Sequence, residues 1–250
     1  MIIPIYDTGP QDWKDLQLKV AKIYEDIGYD TKIEADIKLA RGTVNVDVLC
    51  VKKTTAFNET IIIECKYWNT RVPKTIVHAF RSVIADHGAN SGYIISKMGF
   101  QEGAYESTEN TNIRLLTFEE FQSAIRPVWL GAVVDRIEEV GYPLRKYCDP
   151  MQTFAAQYYD RLSVERQQQI DGLMSKYYQI ALHTMRGLYK NIMTGRLELE
   201  YIDKQILSNG KDFPGVQIKC LMDYFELIYG TCISVVSEFD DLYGEKLRKR

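Results

Sequence analysis

The chain has 250 residues, of which 46% are hydrophobic and 26% charged, and its formal net charge is −3. This composition is typical of a soluble globular protein of one or two domains, and it excludes a disordered chain or a fibre. No apolar run approaches the ~20 residues of a membrane span, so we expect a cytoplasmic protein with no membrane partner. The five cysteines form no Cys-x-x-Cys motif, which argues against a zinc ribbon and favours reduced thiols.

The first half of the chain alternates between helical and strand patterns. Apolar residues from Trp13 to Ile27 recur at three- and four-residue steps and predict an amphipathic helix that Gly28 ends. The predicted elements, in chain order, are helix 11–27, strands 31–38, 44–51 and 61–68, helix 74–86, strand 92–96, helix 101–109, strand 113–116 and a helix opened by a capping box at Thr117. This order predicts an α/β fold in which helices flank a mixed β-sheet.

Charged residues interrupt two of these strands. Glu64 and Lys66 lie two residues apart in an isoleucine-rich strand, so they share one of its faces, and Asp47 interrupts the strand before it. The polar stretch 52–59 between the strands is typical of a hairpin loop. If that loop is centred between residues 55 and 56, antiparallel register sets Asp47 roughly opposite Glu64, at about 5 Å. Two carboxylates and a lysine are therefore expected to converge.

Paired carboxylates suit a hard divalent cation, either Mg²⁺ or Mn²⁺, that keeps bound waters for chemistry. The ammonium of Lys66 can orient an attacking water or neutralise developing charge. Such a set suits hydrolysis of a phosphodiester, whose transition state gathers negative charge on phosphate oxygens. The alternative is a solvated strand face, which is the commoner use of Glu64-x-Lys66 alone. The expected hairpin with Asp47 favours the site.

Several short segments together carry a family resemblance. They are Ile27-Gly28-Tyr29, Val46-Asp47-Val48, Glu64-Cys65-Lys66, Gly88-Ala89 and Gly92-Tyr93-Ile94-Ile95-Ser96 through Gly99-Phe100. In order and spacing, about residues 11–122 resemble an Mrr-like restriction endonuclease domain of the PD-(D/E)xK nuclease superfamily. The resemblance implies metal-dependent cleavage of DNA, with Asp47 and Glu64 as metal ligands and Lys66 as the catalytic lysine. It also implies a role in restriction or anti-phage defence.

Two further positions take an expected role from the same resemblance. Many relatives carry a glutamate in the first helix where this chain has Gln17, which offers a metal or its waters only a neutral carbonyl. His78 lies where relatives often have glutamine or another polar residue, so it either touches phosphate and positions water or is an ordinary surface histidine.

Basic residues follow the carboxylates along the chain. Because the net charge is negative, DNA binding has to be local, and we predict that Arg71, Lys74 and Arg81 contact DNA. The alternative for this segment is a solvated helix face.

The second half of the chain is predicted to be helical, which divides the protein into a nuclease domain over 1–126 and a helical domain over 127–250. One apolar stripe runs from Ile170 to Ile192, and a heptad seam runs from Ile218 to Leu242. The seam forms either a homodimer interface, as we predict, or the domain's own core. Residues 196–201 alternate like a strand among helical neighbours and are left undecided.

Three classes of function remain open at this stage. The leading one is a DNA endonuclease whose helical half senses a small-molecule trigger, dimerises or holds a protein partner. The second is a nucleic-acid-binding module that is catalytically weak or inactive. The third is a scaffold whose helical half carries the function.

Overall fold

The computed structural model describes residues 2–53, 58–149, 151, 155–190, 196, 198–209, 211, 213, 215–244 and 246. Its contacts divide the chain into two compact units. Thr8–Trp129 form the first, called the α/β unit below. The chain through Asp7 and the chain from Leu130 onward together form the second, called the helical unit. The predicted division at 126/127 stays a prediction.

The α/β unit contains one five-stranded sheet in the order β1-β2-β3-β4-β5. β1, β2 and β3 are antiparallel neighbours, and β3, β4 and β5 are parallel ones. The elements are α1 Trp13–Asp26, β1 Asp30–Leu39, β2 Gly42–Lys53, β3 Asn58–Lys66, α2 Lys74–His87, β4 Ser91–Ser96, α3 Glu102–Glu106, β5 Ile113–Thr117 and α4 Phe118–Tyr147, which continues past Trp129 into the helical unit. The predicted order of elements and the mixed sheet are confirmed.

The helix ends in this unit follow local sequence rules. The backbone N–H of Glu120 donates to the Thr117 hydroxyl at 3.2 Å, and the Glu120 carboxylate accepts from the Thr117 N–H at 2.8 Å. This reciprocal pair is the predicted capping box at the start of α4. Gly88 ends α2 in the left-handed region, with φ at +75°, where a side chain would be strained.

The core of the α/β unit on the α2 side fixes that helix against the sheet. Phe80 and Ile84 of α2 are buried in one cluster with Ile62 of β3 and Ile94 of β4. A Cβ on Gly92 would lie 2.7 Å from Ile84 Cδ1 and 2.8 Å from Phe80, so a larger residue would push α2 away from the sheet.

On α1, the predicted core stripe holds for its middle and end, where Leu16, Val20, Ile23 and Tyr24 are buried. It is wrong for Trp13, which is 52% exposed because it begins the helix at its solvent-facing end.

The helical unit includes a short amino-terminal segment, and no sequence pattern indicates that position. Its remaining elements are α5 Ala156–Tyr159, α6 Val164–His183, a 3₁₀ turn Arg186–Tyr189, α7 Leu199–Asn209 and α8 Leu221–Tyr243. The carbonyls of Pro4 and Ile5 accept hydrogen bonds from the N–H groups of Leu221 and Met222, at 2.9 and 3.0 Å. These donors lie in the first turn of α8, where no intrahelical acceptor exists and Cys220 supplies no side-chain cap.

The heptad seam is the core of this unit. Phe225, Ile228, Val235 and Phe239 are at most 3% exposed within the single chain, and Phe239 stacks on Tyr147 with ring centroids 4.9 Å apart. The prediction that this seam forms a homodimer interface is therefore wrong, because a second copy cannot reach side chains that one chain already buries.

The structure also decides two other sequence patterns of the second half of the chain. The strand-like alternation of 196–201 becomes the start of α7 at Leu199. The stripe from Ile170 ends with α6 at His183, and the 3₁₀ turn follows it, while Ile192 lies outside the described residues. None of the helices that the described residues form is long and apolar enough to cross a membrane.

Candidate functional site

The β2–β3 hairpin sets the positions of the two carboxylates. Leu49 pairs with Ile62 and Val48 with Ile63, and this last pair ends the ladder. The next position on each strand is Asp47 and Glu64, as the predicted register requires. The hairpin loop is shorter than the predicted stretch 52–59, since β2 extends to Lys53 and β3 starts at Asn58; residues 54–57 lie outside the described part of the chain.

Asp47 is held from two sides. Its Oδ1 accepts a hydrogen bond from Gln17 Nε2 at 2.8 Å, and its Oδ2 accepts one from the backbone N–H of Cys65 at 2.7 Å. The carboxylate thus takes the place of a strand carbonyl where the β2–β3 ladder has ended. Gln17 lies on α1 and is only 2% exposed, and its Oε1 is buried without a hydrogen-bond partner among the described residues.

Glu64 and Lys66 form a direct ion pair on β3. The Lys66 ammonium donates to Glu64 Oε1, and the side chains are 16% and 23% exposed for the lysine and the glutamate. Burial raises the pKa of Glu64, and the negative charge of Asp47 raises it further, while Lys66 opposes both effects. Burial and Asp47 together outweigh Lys66, so the ionised form of Glu64 is less stable here than in water.

A cavity of about 170 Å³ opens beside the ion pair. Glu64 and Lys66 line one wall and residues 44–46 of β2 another, while α2 contributes Ile76, Ala79, Phe80 and Val83. Asp47 is not part of this lining and is bound instead to Gln17 on α1. The ion pair therefore faces a space between the sheet and α2.

The backbone is distorted across from Asp47. The β1–β2 ladder pairs Ile33 with Val48 and Ala35 with Val46 but skips the position between them, where Glu34 and Asp47 lie. Glu34 has φ at +51°, a left-handed conformation that costs a residue with a side chain roughly 1–2 kcal/mol. Such strain persists only where the surrounding structure holds it, and it clusters at functional sites.

The other predicted residues lie at a distance from this cluster. His78 is exposed on α2; it is two residues from Ile76, which is about 200° around a helix, so it points away from the cavity that Ile76 lines. Arg71, Lys74 and Arg81 are also exposed, and the guanidinium of Arg81 donates to the Ser107 carbonyl at 3.3 Å. The structure thus brings Asp47, Glu64, Lys66 and Gln17 together and leaves these four outside; their roles stay predictions.

The oxygens of the cluster fit a hard divalent cation. Burial raises the pKa of Glu64 and the negative charge of Asp47 raises it further, and the same cluster contains the Gln17 amide oxygen that has no hydrogen-bond partner among the described residues. A cation relieves both conditions. No group of three or more His, Cys, Asp or Glu residues suited to a metal ion occurs in the described part of the chain.

Comparison with known proteins identifies the α/β unit. The family model of the Mrr_cat restriction endonuclease matches residues 10–125. Residues 10–125 form an Mrr-type restriction endonuclease domain. This confirms the family resemblance over 11–122 and makes DNA the substrate class of a nuclease domain. The helical unit from Leu130 onward lies beyond the match.

Two further comparisons were made with the full sequence and structure of the chain. No curated protein matches it. A crystal structure described as a protein of unknown function, AF1548, is similar over 93% of this chain and 98% of its own, with 15% identity and a TM-score of 0.37.

Trp68 of the Mrr-type domain is a further residue of the site, and the sequence analysis assigns it no role. The Lys66 ammonium lies 5.4 Å from the centre of the Trp68 ring, and Trp68 is 39% exposed. An aromatic face at that distance stabilises a cation and restricts its position. The signal was present in the sequence, because an aromatic residue two positions after a candidate lysine can fold back over it.

Proposed function

We propose that this protein is a metal-dependent DNA endonuclease that acts in restriction or anti-phage defence. The observation that carries the proposal is that Asp47 of β2 and Glu64 of β3 occupy the next positions after the end of the β2–β3 ladder, with Lys66 bound to Glu64, inside a restriction endonuclease domain.

Asp47 and Glu64 would hold the cation, Mg²⁺ with Mn²⁺ as a substitute, and it would neutralise charge on the phosphate oxygens and acidify a water. The chain's own residues supply the rest. Gln17 and the Cys65 N–H fix the Asp47 carboxylate in one orientation. Lys66 is a positioned donor that can release Glu64 and bind a non-bridging phosphate oxygen or the attacking water. Water loses a proton to solvent as its oxygen bonds to phosphorus, the bond from phosphorus to one sugar oxygen breaks, and that oxygen takes up a proton from solvent to leave as a hydroxyl.

Cleavage assays test this proposal directly. The full chain is incubated with supercoiled plasmid, linear duplex and single-stranded DNA, with Mg²⁺, Mn²⁺ or EDTA. We expect nicking or cutting with metal and none with EDTA, and we expect Glu64→Gln and Lys66→Ala to lose it by orders of magnitude. The matched control is Glu59→Gln at the other end of β3, whose carboxylate binds the Tyr29 hydroxyl; it should cut like the parent. Equal cutting by all variants would disprove the site.

The basic residues after β3 form the proposed DNA contact. Arg71, Lys74 and Arg81 are exposed in the same domain, and a chain of net charge −3 has to bind phosphates locally. Each lost phosphate contact lowers the slope of log affinity against log salt by about 0.9, so a triple alanine variant should lose roughly 2–3 units of slope. An unchanged slope would move the DNA surface elsewhere. The control changes three exposed lysines of the helical unit: Lys176, Lys204 and Lys219.

A second candidate function rests on one feature of the site. Both oxygens of Asp47 already accept hydrogen bonds, and one donor is the neutral amide of Gln17. The family resemblance implies a glutamate at this position in many relatives. This favours a DNA-binding module with little or no activity. Salt-sensitive DNA binding without cleavage in any metal would establish it.

A further inference from the structure

The helical unit contains a cavity of about 340 Å³ between the end of α4 and α6. That volume lies at the small end of the roughly 300–1,000 Å³ that small-molecule sites occupy. Tyr142, Arg145 and Lys146 of α4 line one side, and Tyr178 and Leu182 of α6 line the other. Asp149 also lines it, so the lining carries two cations and one carboxylate.

Arg145 is held in place by neutral groups. One guanidinium nitrogen donates to the carbonyl and the hydroxyl of Thr184, at 3.1 and 2.6 Å, and the other terminal nitrogen donates to the Glu138 carbonyl at 3.1 Å. No carboxylate lies within ion-pair distance of Arg145 among the described residues. A guanidinium has five N–H donors, so two remain for a ligand.

The groups around Arg145 are tightly packed and hold its guanidinium in one position. Burial lowers the pKa of Arg145, which shows that its charge is partly desolvated. Thr184 is fully buried against α4 at Gly141. A Cβ added to Gly141 would lie 2.1 Å from the Cβ of Thr184. Only a glycine at that position lets Thr184 approach closely enough to hold the guanidinium. The Glu138 carboxylate opposes the effect of burial on the pKa of Arg145 but does not form an ion pair with it. A half-buried guanidinium that neutral acceptors hold in place is a ready anion site.

Aromatic rings border the same charges. Tyr142 is 39% exposed, and its ring centre lies 5.2 Å from Lys146 Nζ and 5.9 Å from Arg145 Cζ. Tyr178 lies on the opposite wall. A ring that enters between the two walls can stack on a tyrosine while its anionic group reaches Arg145.

We propose that this cavity binds a small anion that carries a flat heteroaromatic ring, the class to which nucleoside monophosphates belong. The two unused donors of Arg145, assisted by Lys146, bind the phosphate, and Tyr142 or Tyr178 stacks on the base. The site lies wholly in the helical unit and does not depend on cleavage of DNA.

Titration calorimetry on the full chain, with AMP, GMP, CMP, UMP and inorganic phosphate as separate probes, tests the proposal. At least one nucleotide should bind with a Kd below about 1 mM, and inorganic phosphate should bind tenfold or more weakly because it cannot stack. If none of the four binds at that level, or if phosphate alone binds as tightly, the proposal is overturned.

Variants locate the binding. Tyr142→Leu, at an exposed position that should fold normally, and Arg145→Lys, which keeps charge but loses the forked donor, should each weaken nucleotide binding about tenfold. Lys176→Ala is the matched control, since Lys176 also covers a tyrosine, Tyr177 at 4.7 Å, but lies outside the cavity. Undiminished binding in Tyr142→Leu and Arg145→Lys would overturn the assignment.

A last measurement distinguishes a free nucleotide from the end of a DNA strand as the ligand. A short DNA with a 5′ phosphate presents the same base and phosphate as a free nucleotide. Tighter binding of the free nucleotide supports a small-molecule ligand as proposed, and tighter binding of the DNA end overturns it.

Discussion

Asp47 is expected to be needed for folding as well as for cleavage. Its two oxygens satisfy the Cys65 N–H and the Gln17 amide in a partly buried position. Asp47→Ala removes both acceptors. Asp47→Asn keeps an oxygen for the Cys65 N–H, and its new amide can donate to Gln17 Oε1 once the Gln17 amide turns over, which leaves Gln17 Nε2 as the group without a partner among the described residues. Both variants lose the carboxylate, but the alanine variant leaves two buried donor groups unpaired and the asparagine variant leaves one.

The size of the difference follows from those two bonds. A hydrogen bond to a charged group contributes ~1.5–3 kcal/mol, and part of the loss is offset because Glu64 no longer faces a second negative charge. We therefore expect Asp47→Ala to lower the free energy of unfolding by about 2–4 kcal/mol, and Asp47→Asn by about half as much, because it leaves one donor group unpaired and not two.

Tryptophan fluorescence during urea unfolding measures this difference in the free energy of unfolding within the α/β unit. All 3 tryptophans, Trp13, Trp68 and Trp129, lie in the α/β unit, so the signal reports that unit's unfolding. Both variants should fail to cut DNA under the conditions that support the parent. Equal stability of the alanine and asparagine variants would show that Asp47 does not satisfy the Cys65 N–H.

Three further outcomes are expected. Gln17→Glu should lower the Tm without metal and enlarge the rise in Tm on adding Mg²⁺, because a third carboxylate enters a nearly buried position beside Asp47; an unchanged Tm without Mg²⁺ would place Gln17 outside the site. Trp68→Leu should slow cleavage about 2- to 30-fold, through loss of the ring that positions Lys66, with the salt dependence of DNA binding unchanged; a rate equal to the parent's would refute that role. Phe225→Asp should unfold the helical unit, at a cost above roughly 4 kcal/mol, as measured by circular dichroism; a folded monomeric variant of a dimeric parent would reinstate the interface.

The sequence predicts the α/β unit well because its signals are local and agree with one another. The isoleucine run, the capping box at Thr117 and the glycine at position 88 each act over a few residues, so their structures follow from the chain itself. The hairpin register is equally local, since the polar stretch between β2 and β3 sets it. The charged pair Asp47 and Glu64 could therefore be placed at neighbouring positions without a structure.

What the sequence could not show depends on packing between distant segments. No pattern marks Glu34 as left-handed, because that conformation depends on the neighbouring strand. The heptad seam has the same spacing whether it packs inside one chain or between two, and only the burial of Phe225 and Ile228 decides. The Arg145 site was missed for the same reason, since Thr184 lies in a segment far along the chain.

The hydrogen bonds that the carbonyls of Pro4 and Ile5 accept from the first turn of α8 have a consequence for biosynthesis. Residues 2–7 emerge from the ribosome before the whole α/β unit, whereas their partners Leu221 and Met222 emerge long after it. The nuclease domain can therefore complete its own fold first, while this segment waits with Ile3 and Ile5 exposed. Stalling translation before α8 should leave an α/β unit that is protease-resistant and an amino-terminal segment that is still cleaved.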